Sequence, residues 1–307
     1  MVGVSVIIPT YNRGSLLEEA LESALCQTYK SYEIIVADDG STDDTLPRLE
    51  RFGDRIQILT LAHSGRPAVA RNAAIASARG EYLAFLDSDD RWAPTKLQSQ
   101  ISVLERDSAL VMCYTDAEFF DEKGRVLGKQ SENLRLRKGR VFKHLLLVNF
   151  VPFSSVVARK SAVLEVGGFE QWLTRSEDWN LWLKLSTRGE IGLIPASLCQ
   201  IRYHSSTLTA DKMALFSDAI RMLDDIERRF PREFAASGMF ARRSRAKMLS
   251  MLGRNYLFSG DTGQAKRLFW NALSNFPLRL EIIPFLLLAL LGRRVVLTLR
   301  SLKKTIF

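Results

Sequence analysis

Short apolar runs alternate with helically spaced apolar positions through the first 115 residues. Val4–Pro9, Glu33–Ala37, Ile56–Leu61, Tyr82–Leu86 and Leu110–Thr115 read as strands, each bounded by polar or turn-forming residues. Between the first two, Leu16, Leu17, Ala20, Leu21, Ala24 and Leu25 recur at helical spacing. Asp43–Phe52, the alanine-rich Pro67–Ala78 and Pro94–Glu105 predict three more helices; proline suits the first turn of the latter two. Strands that are apolar throughout are covered on both faces, and their alternation with helices implies an α/β fold on a mostly parallel sheet. Ligands on such sheets sit beyond the carboxyl ends of the strands. Thr10-Tyr11-Asn12, Asp38-Asp39-Gly40 and Asp87-Ser88-Asp89-Asp90 all fall at those ends, which favours one site over three separate turns.

Beyond residue 116 the pattern loosens. A hairpin is expected over Phe119–Val126, a helix over Gly139–Val148, a strand over Ser155–Ala158 and a turn at Gly167-Gly168. Ser176-Glu177-Asp178 opens an amphipathic helix, Trp179–Ser186, and Leu198–Tyr203 reads as a last strand. After Thr207 the chain reads as helical. Length and composition (307 residues, 47% hydrophobic, 25% charged) fit one large or two modest globular domains and exclude a disordered chain. Cys26, Cys113 and Cys199 are far apart, which argues against a disulfide framework or zinc ribbon and fits a reducing compartment. The start, Met1 to Pro9, lacks a basic region and cleavage site and reads as a strand rather than a signal peptide. The net charge of +9 is uneven: residues 201–307 carry 19 basic and 8 acidic side chains, whereas residues 1–200 sum to −2. The basic third points to an anionic partner; no nucleic-acid-binding motif accompanies it.

Asp87-Ser88-Asp89-Asp90 is the chemically most demanding stretch. Three carboxylates in four residues repel one another, which raises their pKa values or calls for a cation. Mg²⁺ resolves such crowding with one or two carboxylates, completing its shell with phosphate oxygens and water. The same residues also suit an acidic turn with an aspartate as helix cap.

Taken in order, Val4-Ser5-Val6-Ile7-Ile8-Pro9-Thr10-Tyr11-Asn12, Gln27-Thr28-Tyr29, Asp38-Asp39-Gly40-Ser41-Thr42-Asp43, Ala70-Arg71-Asn72, Gly80-Glu81-Tyr82, Phe85 to Asp90, Gly167-Gly168-Phe169 and Ser176 to Trp182 form a set. This set resembles the family 2 inverting glycosyltransferases with the GT-A fold, over about residues 3–210. The resemblance implies that Pro9, Thr10 and Tyr11 lie beside a donor nucleobase. It implies that Asp38 and Asp39 end the second strand there, with Asp39 accepting a hydrogen bond from the base. Arg71 would meet donor phosphates. Asp87-Ser88-Asp89 matches the family's DXD motif, binding Mn²⁺ or Mg²⁺; Asp89 is the expected direct ligand, Asp87 helps through ribose or a metal-bound water, and His204 is a candidate third ligand. Asp178 would be the general base, with Glu177 as the fallback. Trp179 and Trp182, three apart on one helix face, are candidates for an acceptor groove, although core packing suits them equally.

The resemblance places a GT-A domain at residues 1–210, with a nucleotide-sugar half to about 116 and an acceptor half at 117–210. Residues 211–307 form a helical region. Within it, residues 240–277 resemble one tetratricopeptide-like helix pair, which must dock on the chain or on a protein partner, self-association included. Ile282–Leu291 is too short to span a bilayer, but with Arg293, Arg294, Arg300, Lys303 and Lys304 the segment 282–304 reads as a basic interfacial anchor. The expected activity is metal-dependent transfer of a sugar from a nucleoside-diphosphate sugar to a glycan or lipid-linked hydroxyl in cell-surface polysaccharide synthesis. The expected place is the cytoplasm, peripheral on the inner membrane. Two alternatives stand beside it. A nucleotidyltransferase calls for a glycine-rich basic loop after the first strand, where Pro9-Thr10-Tyr11-Asn12-Arg13-Gly14 offers little of one. An inactive nucleotide-sugar-binding scaffold calls for a broken acidic motif, and both motifs are intact.

Overall fold

The computed structural model describes residues 2–203 and 211–296. The described chain falls into two compact units, residues 2–145 with 149–203, and residues 146–148 with 211–296.

The first unit opens as β1 (Val4–Thr10), α1 (Gly14–Leu25), β2 (Tyr32–Asp38), α2 (Thr45–Glu50), β3 (Gln57–Thr60), α3 (Pro67–Ser77) and β4 (Tyr82–Phe85). It continues through β5 (Arg91–Trp92), α4 (Lys96–Arg106), β6 (Leu110–Phe120), β7 (Val126–Lys129), α5 (Gln130–Asn133) and α6 (Phe142–Leu147). It ends with β8 (Val157–Arg159), α7 (Lys160–Glu165), α8 (Glu177–Ser186) and β9 (Glu190–Arg202). The strands form one sheet in the order β3-β2-β1-β4-β8-β6-β9-β5, with β7 on β6.

The first four strands are parallel, as their unbroken apolar runs demand. The rest is mixed, although its longest pairing, β6 with β9, is again parallel. β8 runs antiparallel to both β4 and β6, and β5 antiparallel to β9. β8 enters the sheet from the loop beside the carboxyl end of β4, where Phe85 N donates to Val156 O, so it can only run the opposite way. β9 begins at Glu190, well before the expected Leu198, because register shifts opposite Thr115, Asp116 and Ala117 break its two-residue period. The expected helix at Asp43–Phe52 is shorter, with a separate 3-10 turn at Gly53–Arg55.

Register brings three loops to one edge: Thr10 pairs with Asp38, Asp38 with Thr60, and Ile7 with Phe85. β1 and β4 are buried along their whole length. Gln27, fully buried, ties the end of α1 to the chain before α4. Its Nε2 donates to Ala93 O at 2.9 Å, and its Oε1 accepts from Leu97 N at 3.0 Å.

In the second unit, α9 (Lys212–Arg229) and α10 (Pro231–Ala236) precede α11 (Met239–Ser259), α12 (Thr262–Asn275) and α13 (Ile283–Leu290). α11 ends at Gly260, left-handed at φ +93°, and the Asp261 carboxylate caps α12 by accepting from Gln264 N at 2.9 Å. The two helices pack over the buried Phe269 ring, which lies so close to Gly253 that a Cβ there would meet Cε1 at 2.7 Å. On α13, Leu286 and Ala289 are buried, whereas Ile283, Leu287 and Leu290 are exposed at a spacing of about one helical turn. Among the described residues no helix is long and apolar enough to cross a membrane.

Gly80 sits against the backbone of β1: a Cβ there would lie 2.5 Å from Ser5 N and 2.7 Å from Val4 C. Gly80→Ala should therefore cost about 1–3 kcal/mol in denaturant unfolding; a change within experimental error would mean that β1 yields freely.

Candidate active site

The three loops lock into one another through short polar side chains. Asn12 takes a left-handed φ of +49°, which asparagine tolerates. Its Oδ1 accepts from Thr42 N at 2.8 Å, and its own N donates to Ser41 Oγ at 2.8 Å. The fully buried Asp38 accepts from Ser41 N at 3.0 Å and from the Ser41 hydroxyl. Asp39 N donates to Thr10 O at 2.9 Å. Asp39 Oδ1 accepts from Ser64 N and Oγ at 2.9 and 2.8 Å, and Oδ2 accepts from Gly65 N at 2.9 Å. Both Asp39 oxygens thus hold the loop that carries His63. The His63 ring stacks on Tyr11 with centroids 4.1 Å apart, and Tyr11 is 39% exposed. An aromatic platform therefore stands open at the strand edge, above the buried Pro9 and Thr10.

Beside it lies a cluster of acids drawn from two distant segments. Arg71, on α3, is buried, its guanidinium 3.9 Å from the Phe153 ring centroid and 5.4 Å from that of Phe169. It donates from Nη2 to Asp87 Oδ1 at 3.0 Å and from Nη1 to Glu177 Oε1 at 2.7 Å. The acidic loop after β4 and the start of α8, 90 positions apart, thereby meet at one cation. Asp87 keeps 34% of its side chain open to solvent. Burial pushes its carboxyl up to about 6; Arg71 opposes the rise and Asp89 adds to it. Asp178 is pushed up to about 7, first by burial and then by Glu177, against the Trp179 N–H and Arg71. Asp178 Oδ2 accepts from Asn149 Nδ2 at 3.0 Å.

Asp90 turns inward and is raised well above the usual carboxylate range by burial, Asp89 and Asp87. It accepts from Ser154 Oγ at 2.6 Å and from Arg202 N at 2.9 Å. Ser154 Oγ in turn accepts from Asp87 N at 3.0 Å, which fixes the height of the whole turn. Ser88 is buried beneath it. Asp89 points outward to Arg13, Nη1 to Oδ2 at 2.8 Å.

The family model described as "Glycosyl transferase family 2" matches residues 5–167. The chain belongs to glycosyl transferase family 2. It is 33% identical over 222 residues to the Escherichia coli UDP-Glc:alpha-D-GlcNAc-diphosphoundecaprenol beta-1,3-glucosyltransferase WfaP, covering 71% of this chain and 83% of that one. It is 34% identical over 208 residues to an uncharacterised glycosyltransferase of Rickettsia felis; that match covers 67% of this chain but spans only about a third (34%) of the relative's length. The fold is that of Staphylococcus aureus TarS 1-349, solved with UDP-GlcNAc, at TM-score 0.70 and 18% identity over 97% of this chain and 92% of that one. It is also that of the Pyrobaculum calidifontis mannosyltransferase PcManGT, solved with GDP-Man and Mn²⁺, at TM-score 0.62 and 17% identity over 96% and 84%. The GT-A architecture and the glycosyltransferase class implied by the motifs are thus those of this family.

Some expected roles shift. Arg71, for which the resemblance implies a phosphate contact, spends one N–H of each terminal nitrogen on a carboxylate. Trp182 is fully buried against Phe85 and Phe153, and Trp179 is 8% exposed with its indole N–H donating to Leu145 O at 2.7 Å. Both are core residues, which corrects their assignment to an acceptor groove. His204 lies outside the described residues. Among those described, no three His, Cys, Asp or Glu side chains gather as a metal cluster. Arg13, Asn149, Ser154 and Arg202 join the site without having been singled out in the sequence. None was given a role there, because each reaches the acids only through tertiary contact.

Arg71→Met should leave Asp87 and Glu177 without their buried counter-charge. A loss of about 3–5 kcal/mol in unfolding free energy is expected, larger at pH 8 than at pH 5, where protonation relieves the stranded acids.

Proposed function

We propose that this family member transfers a sugar from a nucleoside-diphosphate sugar to a hydroxyl of a lipid-linked or glycan acceptor, with inversion at the anomeric carbon. The observation that carries the proposal is the double ion pair of Arg71, which draws Asp87 and the Glu177-Asp178 pair to one guanidinium. The nucleobase would lie on the exposed Tyr11 ring, with its sugar toward Asp87 and Ser88.

Asp178 would act as general base. Its Oδ2 is held by Asn149, which orients the carboxylate. The acceptor oxygen, giving its proton to Asp178, forms the new bond to the anomeric carbon as the bond to the donor phosphate breaks; the diphosphate departs with that electron pair. Glu177 is committed to Arg71 and serves as its anchor.

Asp87 and Asp89 suit a hard divalent cation: two crowded, partly open carboxylates, one already pushed up to about 6. Mn²⁺ or Mg²⁺ bound there would neutralise charge on the leaving diphosphate. With no third protein ligand among the described residues, donor oxygens and water would complete the shell. A lipid-linked acceptor is supported by the WfaP likeness.

Asp178→Asn should leave nucleotide binding intact and lower nucleotide release from a panel of UDP-, dTDP- and GDP-sugars by about 10²–10⁴-fold. In the unmodified protein the rate should climb with pH up to about 7 and then level, because the base must be ionised and burial holds it near that value. Near-normal turnover of the asparagine variant would remove Asp178 as the base.

For the second unit we propose peripheral attachment at the cytoplasmic face of a membrane through residues 282–304. The support is the exposed Ile283, Leu287 and Leu290 stripe, followed by Arg293 and Arg294. Truncation is a poor test, since Ile282, Leu286 and Ala289 are buried in the core of this unit. Leu287→Glu with Leu290→Glu should instead abolish co-flotation with anionic phospholipid vesicles at unchanged stability; retained flotation would refute the attachment.

A further inference from the structure

Arg13 and Arg71 both meet the acids after β4, but they are held very differently. Arg71 is sealed in, with 6% of its side chain exposed and two carboxylates on it. The Arg13–Asp89 pair is partly open, at 30% and 19% exposure. Meanwhile the Arg13 backbone is pinned: its N donates to Thr45 Oγ1 at 3.1 Å, and the preceding Asn12 is locked onto Thr42 and Asp43. With its backbone fixed and its side chain partly solvated, the Arg13 guanidinium can exchange one ion partner for another at the same edge of the site.

From this geometry we infer that Arg13 is an exchangeable counter-ion. With no donor bound it neutralises Asp89; when a divalent cation takes Asp89, Arg13 turns to the donor's diphosphate. This rests on the transferase reading above. Two cations on one carboxylate repel, so Arg13 and the metal compete for Asp89. A diphosphate offers Arg13 a bidentate acceptor in exchange, a geometry guanidinium matches well. Metal alone is then disfavoured, whereas metal and nucleotide together are cooperative, and the coupling is reciprocal. The site would thus resist loading with metal until a donor arrives.

The test uses the full chain, with Mn²⁺ alone followed by electron paramagnetic resonance, and UDP, dTDP and GDP followed by calorimetry with and without Mn²⁺. Arg13→Met keeps the apolar stem and removes the charge. It should bind Mn²⁺ alone about 3- to 10-fold more tightly, yet lose most of the Mn²⁺–nucleotide cooperativity. Arg13→Lys should retain both the weak metal binding and part of the cooperativity. In an Asp89→Asn background, Arg13→Met should no longer alter Mn²⁺ binding. Unchanged Mn²⁺ affinity in Arg13→Met, or undiminished cooperativity, overturns the exchange while leaving the transferase reading standing. Absence of binding by all three nucleotides in the unmodified protein overturns both.

Discussion

The site is organised around a single buried guanidinium. Arg71 ties the acidic loop at the end of β4 to the acidic start of α8 by hydrogen-bonding to both. A cation in such a place is costly to desolvate, and its attraction to two carboxylates offsets the cost only while both are in position. Phe153 and Phe169, facing the guanidinium, exclude water and add cation–π attraction. Three elements from separate parts of the sheet, α3, β4 and α8, are therefore mutually dependent. Moving one strands a charge belonging to another.

Within that frame, neighbouring acids do different work because their surroundings differ. Asp90 faces inward, spends its oxygens on Ser154 and the Arg202 backbone, and shapes the turn. Asp87 and Asp89 face outward on opposite sides of Ser88, one steadied by a sealed arginine and the other by an open one. Asp178 is lifted to about 7 by burial and by Glu177, and Asn149 fixes where it points. Asp38 and Asp39, which look like ligand-facing acids in the sequence, are largely consumed in building loops. The open ring of Tyr11 owes its position to that internal consumption, since Asp39 sets the height of His63 beneath it.

The parallel half of the sheet was legible in the sequence because its strands are buried on both faces and carry one uninterrupted apolar run each. So was the convergence of the three polar clusters, which follows from strand direction alone. The mixed half was not. β8 has three residues and β5 two, too short to show a period, and β9 carries bulges that erase one. Site partners such as Ser154 and Asn149 were hidden for a different reason. Serine and asparagine are ordinary loop residues, and their value comes from acids 64 and 29 positions away in the chain. Trp179 and Trp182 show the limit of face arguments: spacing placed them in a helix, but their burial depends on partners far away in sequence, the Phe85 and Phe153 rings for Trp182 and the Leu145 carbonyl for Trp179.

The placement of β8 between β4 and β6 has a consequence for synthesis on the ribosome. β4 is apolar and buried, and its free edge is covered only by Val157–Arg159, made more than 70 residues later. At translation rates of about 5–20 residues per second, that edge stays uncovered for several seconds in the nascent chain. An unpaired apolar strand is a template for intermolecular pairing. The emerging amino-terminal strands are thus at their most aggregation-prone before β8 has been made, and holdase chaperones would find their binding stretch at Tyr82–Phe85.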